Sequence, residues 1–391
     1  MNHTTAQPRA AAPAARSKPG NSPKLREITL DDYGQIASLT APYGFTPSMW
    51  TCEQWRHLWV NNPAYLRMGE TFPRGWVLEA DKRIVGHIGN VPLLYQFDGQ
   101  QLLVGNGYSY VVQAEYRGYA LFLLDPYMNQ KCVDIVLGHQ ANPDSSRAHC
   151  EFGAKSVPLG AWDRKAVWIV SYREYLADWL ARKSLPAAGL LSYAAAPALS
   201  TRDAWNRMLL GSRARRDVEV EIGSAFDDRF DRFWEELCAE YPRKLLALRT
   251  RPTLEWRFHF ALREKRLWVA TISRGGRLRA YAIFLVQKNI DPQDPIRRLM
   301  VADFQSIERD KGIFYALLRA ALARGRKSGI HLVVTVGHSA GGTDMSMMAP
   351  HRSSLPRHST SLYKARNPML SRALESPQAW CPSLYDGDMS L

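Results

Sequence analysis

The chain has 391 residues, 46% of them hydrophobic and 23% charged. This excludes a wholly disordered chain; no three- or seven-residue repeat points to collagen or a coiled coil, and the length suits about two domains. A formal charge of +14 favours anionic partners (phosphorylated cofactors, acidic glycans, anionic lipid or nucleic acid) without choosing among them.

Residues 1–24 hold Arg9, Arg16, Lys18 and Lys24 and no acid, among many Ala, Pro, Ser and Asn. They lack the apolar run of a secretory signal and read as a disordered basic tail. The next segment, 29–40, spaces Leu30, Tyr33, Ile36 and Ala37 on one helical face behind an N-cap at Thr29. A second helix opens at Thr51. Residues 76–93 read as a β-hairpin with a polar turn. A fourth strand follows, whose alternation puts Tyr108 and Tyr110 on one face. Helices are expected at about 117–130 and 143–152, on either side of a buried strand ending in Gly138-His139-Gln140-Ala141.

Residues 171–217 read as a helical, basic linker. Within it, 184–201 carries no charge, but Pro186 and Pro197 leave too short a run to span a membrane. A helical hairpin is the plain reading; a patch touching a bilayer surface or another protein is the sharper one. Beyond the linker, 224–239 spaces Phe226, Phe230, Phe233, Trp234 and Leu237 on a helical face behind Ser224. Thr253 is placed as the next N-cap, 268–286 as a hairpin and 311–328 as a long helix ended by Gly329.

The halves match in order. Trp55 and Trp256, Trp76 and Trp268, and Gly138 and Gly337 are separated by 201, 192 and 199 residues. Three weak matches at nearly one offset predict one unit used twice.

Val112-Gln-Ala-Glu115-Tyr116-Arg117-Gly118 resembles the V-x-P-x-Y-R-G signature of the GNAT superfamily of CoA-dependent N-acyltransferases. The resemblance covers about 25–170 well and 218–370 loosely. It implies an α/β (α+β) fold of two GNAT-like domains, 25–170 and 218–391, each a mixed, mostly antiparallel sheet flanked by helices. It also implies acetyl-CoA or another acyl-CoA as cosubstrate, held at Tyr116, Arg117, Gly118, Tyr119 and Ala120, where helix-start N–H groups suit a pyrophosphate. Phe122 departs from the pattern, which has a small residue there. Asn142-x-x-Ser145-x-x-x-His149-x-x-x-Gly153 resembles the family's N-x-x-A-x-x-x-Y-x-x-x-G. It implies that Asn142 and Ser145 bind the CoA arm and that His149 stands where a tyrosine protonates the departing thiolate. A half-buried helix histidine is the alternative. Glu115, Tyr108, Tyr110 and His139 are candidates for the general base; Glu115 and Tyr108 join His149 as the catalytic set. The second half has Asp303 to Gly312 where the turn should be, and reads as degenerate. The tandem order also resembles FemAB-type aminoacyl transferases.

Gly337-His338-Ser339-Ala340-Gly341 fits the G-x-S-x-G nucleophile elbow of α/β-hydrolases. A triad would need Asp344 or Asp386 with His351 or His358. Too little chain follows Ser339 for the usual closing strands, and the repeat places Gln140 at the same position, so Ser339 is not expected to be a nucleophile.

The five scattered cysteines argue against a disulfide framework or a zinc site and point to a reducing compartment. The expectation is a cytoplasmic, bacterial-type acyltransferase acting on a small-molecule, glycan or aminoacyl amine. It has no metal, no specific nucleic acid and no transmembrane segment, and contact with an anionic surface is open. A catalytically degenerate GNAT-like scaffold is the second reading, and a serine hydrolase the third.

Overall fold

The computed structural model describes residues 22–43, 51–68, 72–158, 164–185, 187–211, 218–288, 294–336, 339–340, 343–344, 351–354, 360–381 and 383–386. It divides into two compact units, 1–95 with 100–158 and 356–377, and 96–99 with 159–355 and 378–391.

The first unit opens with β1 (Lys24–Glu27), α1 (Tyr33–Thr40), α2 (Cys52–Val60) and α3 (Pro63–Met68). The strands β2 (Gly75–Ala80), β3 (Arg83–Phe97) and β4 (Gln100–Val112) follow, then α4 (Ala120–Met128), β5 (Ile135–Ala141), α5 (Pro143–Glu151) and β6 (Lys155–Ser156). In the second unit come β7 (Arg164–Ile169), α6 (Tyr172–Arg182), α7 (Ala188–Gly211), β8 (Glu221–Gly223), α8 (Arg229–Glu240), β9 (Leu246–Ala247), α9 (Arg251–Arg257) and α10 (His259–Arg263). They lead to β10 (Leu267–Arg274), β11 (Arg277–Val286), β12 (Arg298–Ser306), α11 (Lys311–Lys327), β13 (Leu332–Val336), β14 (Ser339–Ala340), β15 (Thr343–Asp344) and β16 (His351–Ser354). The chain then returns to the first unit with β17 (Thr360–Ala365) and α12 (Pro368–Ala373).

The strand orders match. The first sheet runs β1-β2-β3-β4-β5-β17-β6 and the second β8-β10-β11-β12-β13-β7-β16. In each, one inner pair is parallel, β4 with β5 and β12 with β13. Two-residue turns with positive φ close the hairpins: Asp81-Lys82, Asp98-Gly99 and Gly275-Gly276. Positive φ at both positions matches the right-handed twist of the flanking strands.

The elements differ from the sequence reading in several places. The 25–170 boundary gives way to an exchange: β7 completes the second sheet and β17 the first. The segment 171–217 is no free linker, because Tyr172, Tyr175 and Leu199 pack on Ile169, Leu332 and Val334 of the second sheet. Lys24, expected in the tail, opens β1. The third helix starts at Ala120, because a 3-10 turn (Ala114–Tyr119) takes up the residues before it. The N-caps expected at Ser224 and Thr253 are Asp228 and Thr250. Thr51 caps α2 through Gln54, and Gly329 follows α11 with φ +65°. Residues 1–21 lie outside the described residues, as do Gly337, His338, Gly341 and His358.

The first unit buries Trp55, Trp59, Leu123, Leu124 and Tyr127. In the second, α11 lays Phe314 and Leu317 against Trp168, Trp268 and Phe304. Apolar burial of this kind contributes about 25 cal/mol per Å².

Candidate active site

The parallel pairing of β4 with β5 covers Val104 with Ile135, Gly105 with Val136 and Asn106 with Leu137, and ends there. Beyond it lie Gly107 to Val112 on one strand and Gly138 to Ala141 on the other. Tyr127 of α4 marks the vertex. Its hydroxyl donates to the Leu137 carbonyl at 2.6 Å and lies 3.2 Å from that of Gly105. A methyl group at Gly107 would meet this hydroxyl at 2.7 Å, so the bracket requires glycine.

Ser109 has φ +55° and breaks the alternation of β4. Gly105 and Gly107 face Gln130 and Tyr127, so Asn106 and Tyr108 face the other way. Past Ser109 the strand is out of step, and Tyr110 returns to the α4 face. There its hydroxyl donates to the Ala120 carbonyl at 2.8 Å. Tyr108 and Tyr110 therefore do not share a face, contrary to the simple alternation. Tyr108 stacks edge-on with His87. Burial pushes the Tyr110 phenol up to about 12, so it stays protonated and ties β4 to the start of α4.

His149 is buried on α5. Its Nδ1 lies 2.7 Å from the Ser145 carbonyl; a carbonyl only accepts, so Nδ1 carries the proton and Nε2 the lone pair. Nε2 points at β5, 3.4 Å from where a methyl on Gly138 would sit. The ring stands edge-on to Tyr110 and Tyr127 at 6.0 and 6.5 Å. Burial holds its pKa below the usual histidine value, with the Ser145 hydrogen bond opposing. The imidazole is neutral at pH 7.

Asn142 spends its side-chain oxygen capping α5, accepting from the Ser145 N–H at 2.8 Å. No side chain caps the start of α4 at Tyr119. In the 3-10 turn before it, Tyr116 is buried, Glu115, Arg117 and Gly118 are exposed, and Tyr119 and Ala120 are half-buried. Phe122 is 52% exposed and does not pack into the core. His149, Tyr110 and the start of α4 thus lie together, Tyr108 faces away from them, and Glu115 faces solvent. His139 lies on β5 with Nδ1 3.4 Å from the Ser361 hydroxyl.

The sequence reading missed His87, Asn106 and Tyr127. His87 is fully buried on β3, its Nδ1–H donating to the Ser109 carbonyl at 2.8 Å. Its pKa falls to about 4, chiefly through burial. Among the described residues, His87 Nε2, Asn106 Oδ1 and Ser109 Oγ are buried without a hydrogen-bond partner. A histidine inside the apolar stretch of β3 was the one signal the sequence offered.

A GCN5-related N-acetyltransferase from Kribbella flavida superposes with a TM-score of 0.51 at 13% identity, covering 91% of this chain and 73% of its own. The chain has the GNAT fold. A GCN5-related N-acetyltransferase from Anabaena variabilis ATCC 29413 and a probable N-acyltransferase from Enterococcus faecalis V583 are also similar, both at TM-score 0.50 and 12% identity. Each covers 88% of this chain, and 73% and 72% of its own. No family model matches the sequence, and neither does any curated protein. The parting of β4 from β5 opens at the ends of a parallel pair, the kind of place where ligands bind in other open sheets.

The hydrolase motif is not assembled among the described residues. His351 bonds Asp203 at 2.5 Å, and Asp386 accepts from Arg249 and Ser383.

Proposed function

We propose that the first unit is an acyl-CoA-dependent N-acyltransferase. The observation that carries this is the parting of β4 and β5 beyond Asn106 and Leu137, with His149 Nε2 on one side and the uncapped start of α4 beside it. Arg117 would hold the pyrophosphate by its charge, and Gly118, Tyr119 and Ala120 would place it at the positive end of α4, the Ala120 N–H itself being bonded to the Arg117 carbonyl. Gly107 and Gly138 leave the opening without side chains. When bound, acyl-CoA supplies an activated thioester acyl group.

A neutral His149 accepts a proton before it can give one. In this reading it takes the proton that the amine sheds as it is acylated, and returns it to the leaving sulfur. Tyr116 anchors the turn, and Asn142 and Ser145 hold α5 so that Nε2 faces β5. His87 Nε2 and Asn106 Oδ1 are bare acceptors on the other face of β4, the chemistry an amine N–H requires. Glu115, exposed, has no part in the transfer. The acceptor is a small-molecule, sugar or aminoacyl amine, and the free cysteines suit a cytoplasmic setting. The second unit has a structural role, since its own charged side chains occupy the corresponding region.

Calorimetric titration of the full chain with CoA and acetyl-CoA tests the reading. Binding is expected, weakened several-fold by Arg117→Glu, which sets a negative charge beside the pyrophosphate. His149→Ala is expected to retain binding and lose most turnover. Absence of heat at millimolar ligand would leave a scaffold.

A further inference from the structure

Helix α7 is amphipathic in the wrong sense. Its inward positions are Ser192, Ala196, Leu199 and Asp203, at helical spacing. Ser192 and Asp203 are buried, and Asp203 accepts from the Tyr172 hydroxyl at 3.1 Å and pairs with His351. Its outward positions from 190 to 198 are mostly hydrocarbon: Leu190 is 75% exposed, and Leu191, Tyr193, Ala194, Ala195 and Ala198 are exposed beside it. Leu185 is exposed in the turn before the helix and Trp205 farther along it. No charge occurs from residue 184 to 201. A surface helix ordinarily presents polar residues to water, and an exposed apolar patch of this kind marks an interaction site.

The rim of the patch selects the partner. Arg173, Arg182 and Arg202 have side chains 49 to 60% exposed, whereas the acids they pair with, Glu174, Asp178 and Asp203, are only 34, 14 and 0% exposed. The acids lie beneath and the guanidinium groups outward. Exposed Lys183 adds a further cation, and Arg173 covers the Tyr193 ring at 4.8 Å. Two copies meeting through this face would oppose like charges. An anionic surface with an apolar interior complements both parts, with Tyr193 and Trp205 suited to headgroup depth. Among the described residues no helix is long and apolar enough to cross a membrane, so α7 would lie on the surface.

We propose that the outward face of α7 docks the protein on an anionic phospholipid bilayer. The test is cosedimentation of the full chain with phosphatidylcholine vesicles containing about one quarter phosphatidylglycerol, and with pure phosphatidylcholine. Binding is expected on the anionic vesicles only, and is expected to weaken with salt. Leu190→Ser/Leu191→Ser keeps every charge and alters only exposed positions, so circular dichroism should be unchanged while affinity falls about tenfold or more. Lys183→Glu should weaken it severalfold. Wild-type affinity in the double-serine variant would assign the binding to basic residues elsewhere and overturn the proposal. So would equal binding to pure phosphatidylcholine. A chain that ignores vesicles but sediments as a dimer, split by the same variant, would give the face to a second copy and overturn it equally.

Discussion

Three residues past the last paired position, β4 of the first unit carries Ser109 and β12 of the second carries Asp303. Ser109 Oγ is buried and unmet among the described residues, as are His87 Nε2 on β3 and Asn106 Oδ1 on β4. Asp303 is also fully buried, yet it accepts from Arg249 Nε at 2.8 Å and Nη2 at 3.1 Å, from the Tyr281 hydroxyl at 2.8 Å and from Gln305 at 3.2 Å. Arg249 reaches on to Asp386 at 3.0 Å and lies over the Tyr385 ring, whose hydroxyl donates to the Leu248 carbonyl. One topology thus serves twice. At Asp303 the buried polar groups are met from within; around Ser109 three are left unmet among the described residues, and in the second unit Thr335 Oγ1 on β13 is unmet as well.

Removing the cation should break this contrast most sharply. Arg249→Met takes from buried Asp303 and Asp386 the guanidinium that both are paired with, at an expected cost of about 3–5 kcal/mol in denaturant unfolding. Ser109→Ala deletes a hydroxyl that bonds nothing described and should cost under about 1 kcal/mol. Equal losses would mean that the two regions are alike.

Acid should act with opposite signs through His87 and through Asp386. His87 has a folded pKa of about 4, below the ordinary histidine value of about 6.5. Its contribution is fully present above that value and is lost as pH falls, roughly 2 kcal/mol by pH 5. Asp386 has a pKa raised by burial, against the pull of Arg249, so a fall in pH through its folded value does not loosen the second unit by this route. Hydrogen exchange resolved by segment, compared at pH 7 and pH 5, should show β3 and β4 losing protection and β12 keeping it.

The two strand glycines of the opening should differ more finely. Gly107→Ala presses on the Tyr127 hydroxyl at 2.7 Å and should cost about 1–3 kcal/mol in stability. Gly138→Ala meets His149 Nε2 at an ordinary 3.4 Å. It should leave stability within about 0.5 kcal/mol while lowering turnover, by covering the lone pair. Thermal melts and one transfer assay separate the two.

Much of the fold could be read from spacing. Helical and strand periodicity placed the two hairpins, α11 and the repeat, because each is a local pattern with a local cause. The exchange of β7 and β17 could not be read that way, since a strand's alternation specifies a buried face and not a neighbour. The irregularity at Ser109 has no glycine to announce its positive φ. His149 and the Arg117 turn were legible through motif spacing. Tyr127 looked like any core aromatic, and its hydroxyl's task appears only once two carbonyls converge on it. The partners of Arg249 lie 54 and 137 positions away; its place directly after the apolar run Leu245 to Leu248 was the only hint.

Strand β17 is made after every strand of the second sheet, yet it fills a position inside the first. During synthesis, β1 to β6 emerge first and must wait with the edge of β5 bare while the second sheet is completed. An open edge is a template for wrong pairing. The closing contact joins residues 135–141 to 360–365, a separation that makes it slow to find. The sheet begun first is therefore the sheet finished last, and a chain interrupted anywhere before residue 360 would carry it unclosed whatever the stability of the rest.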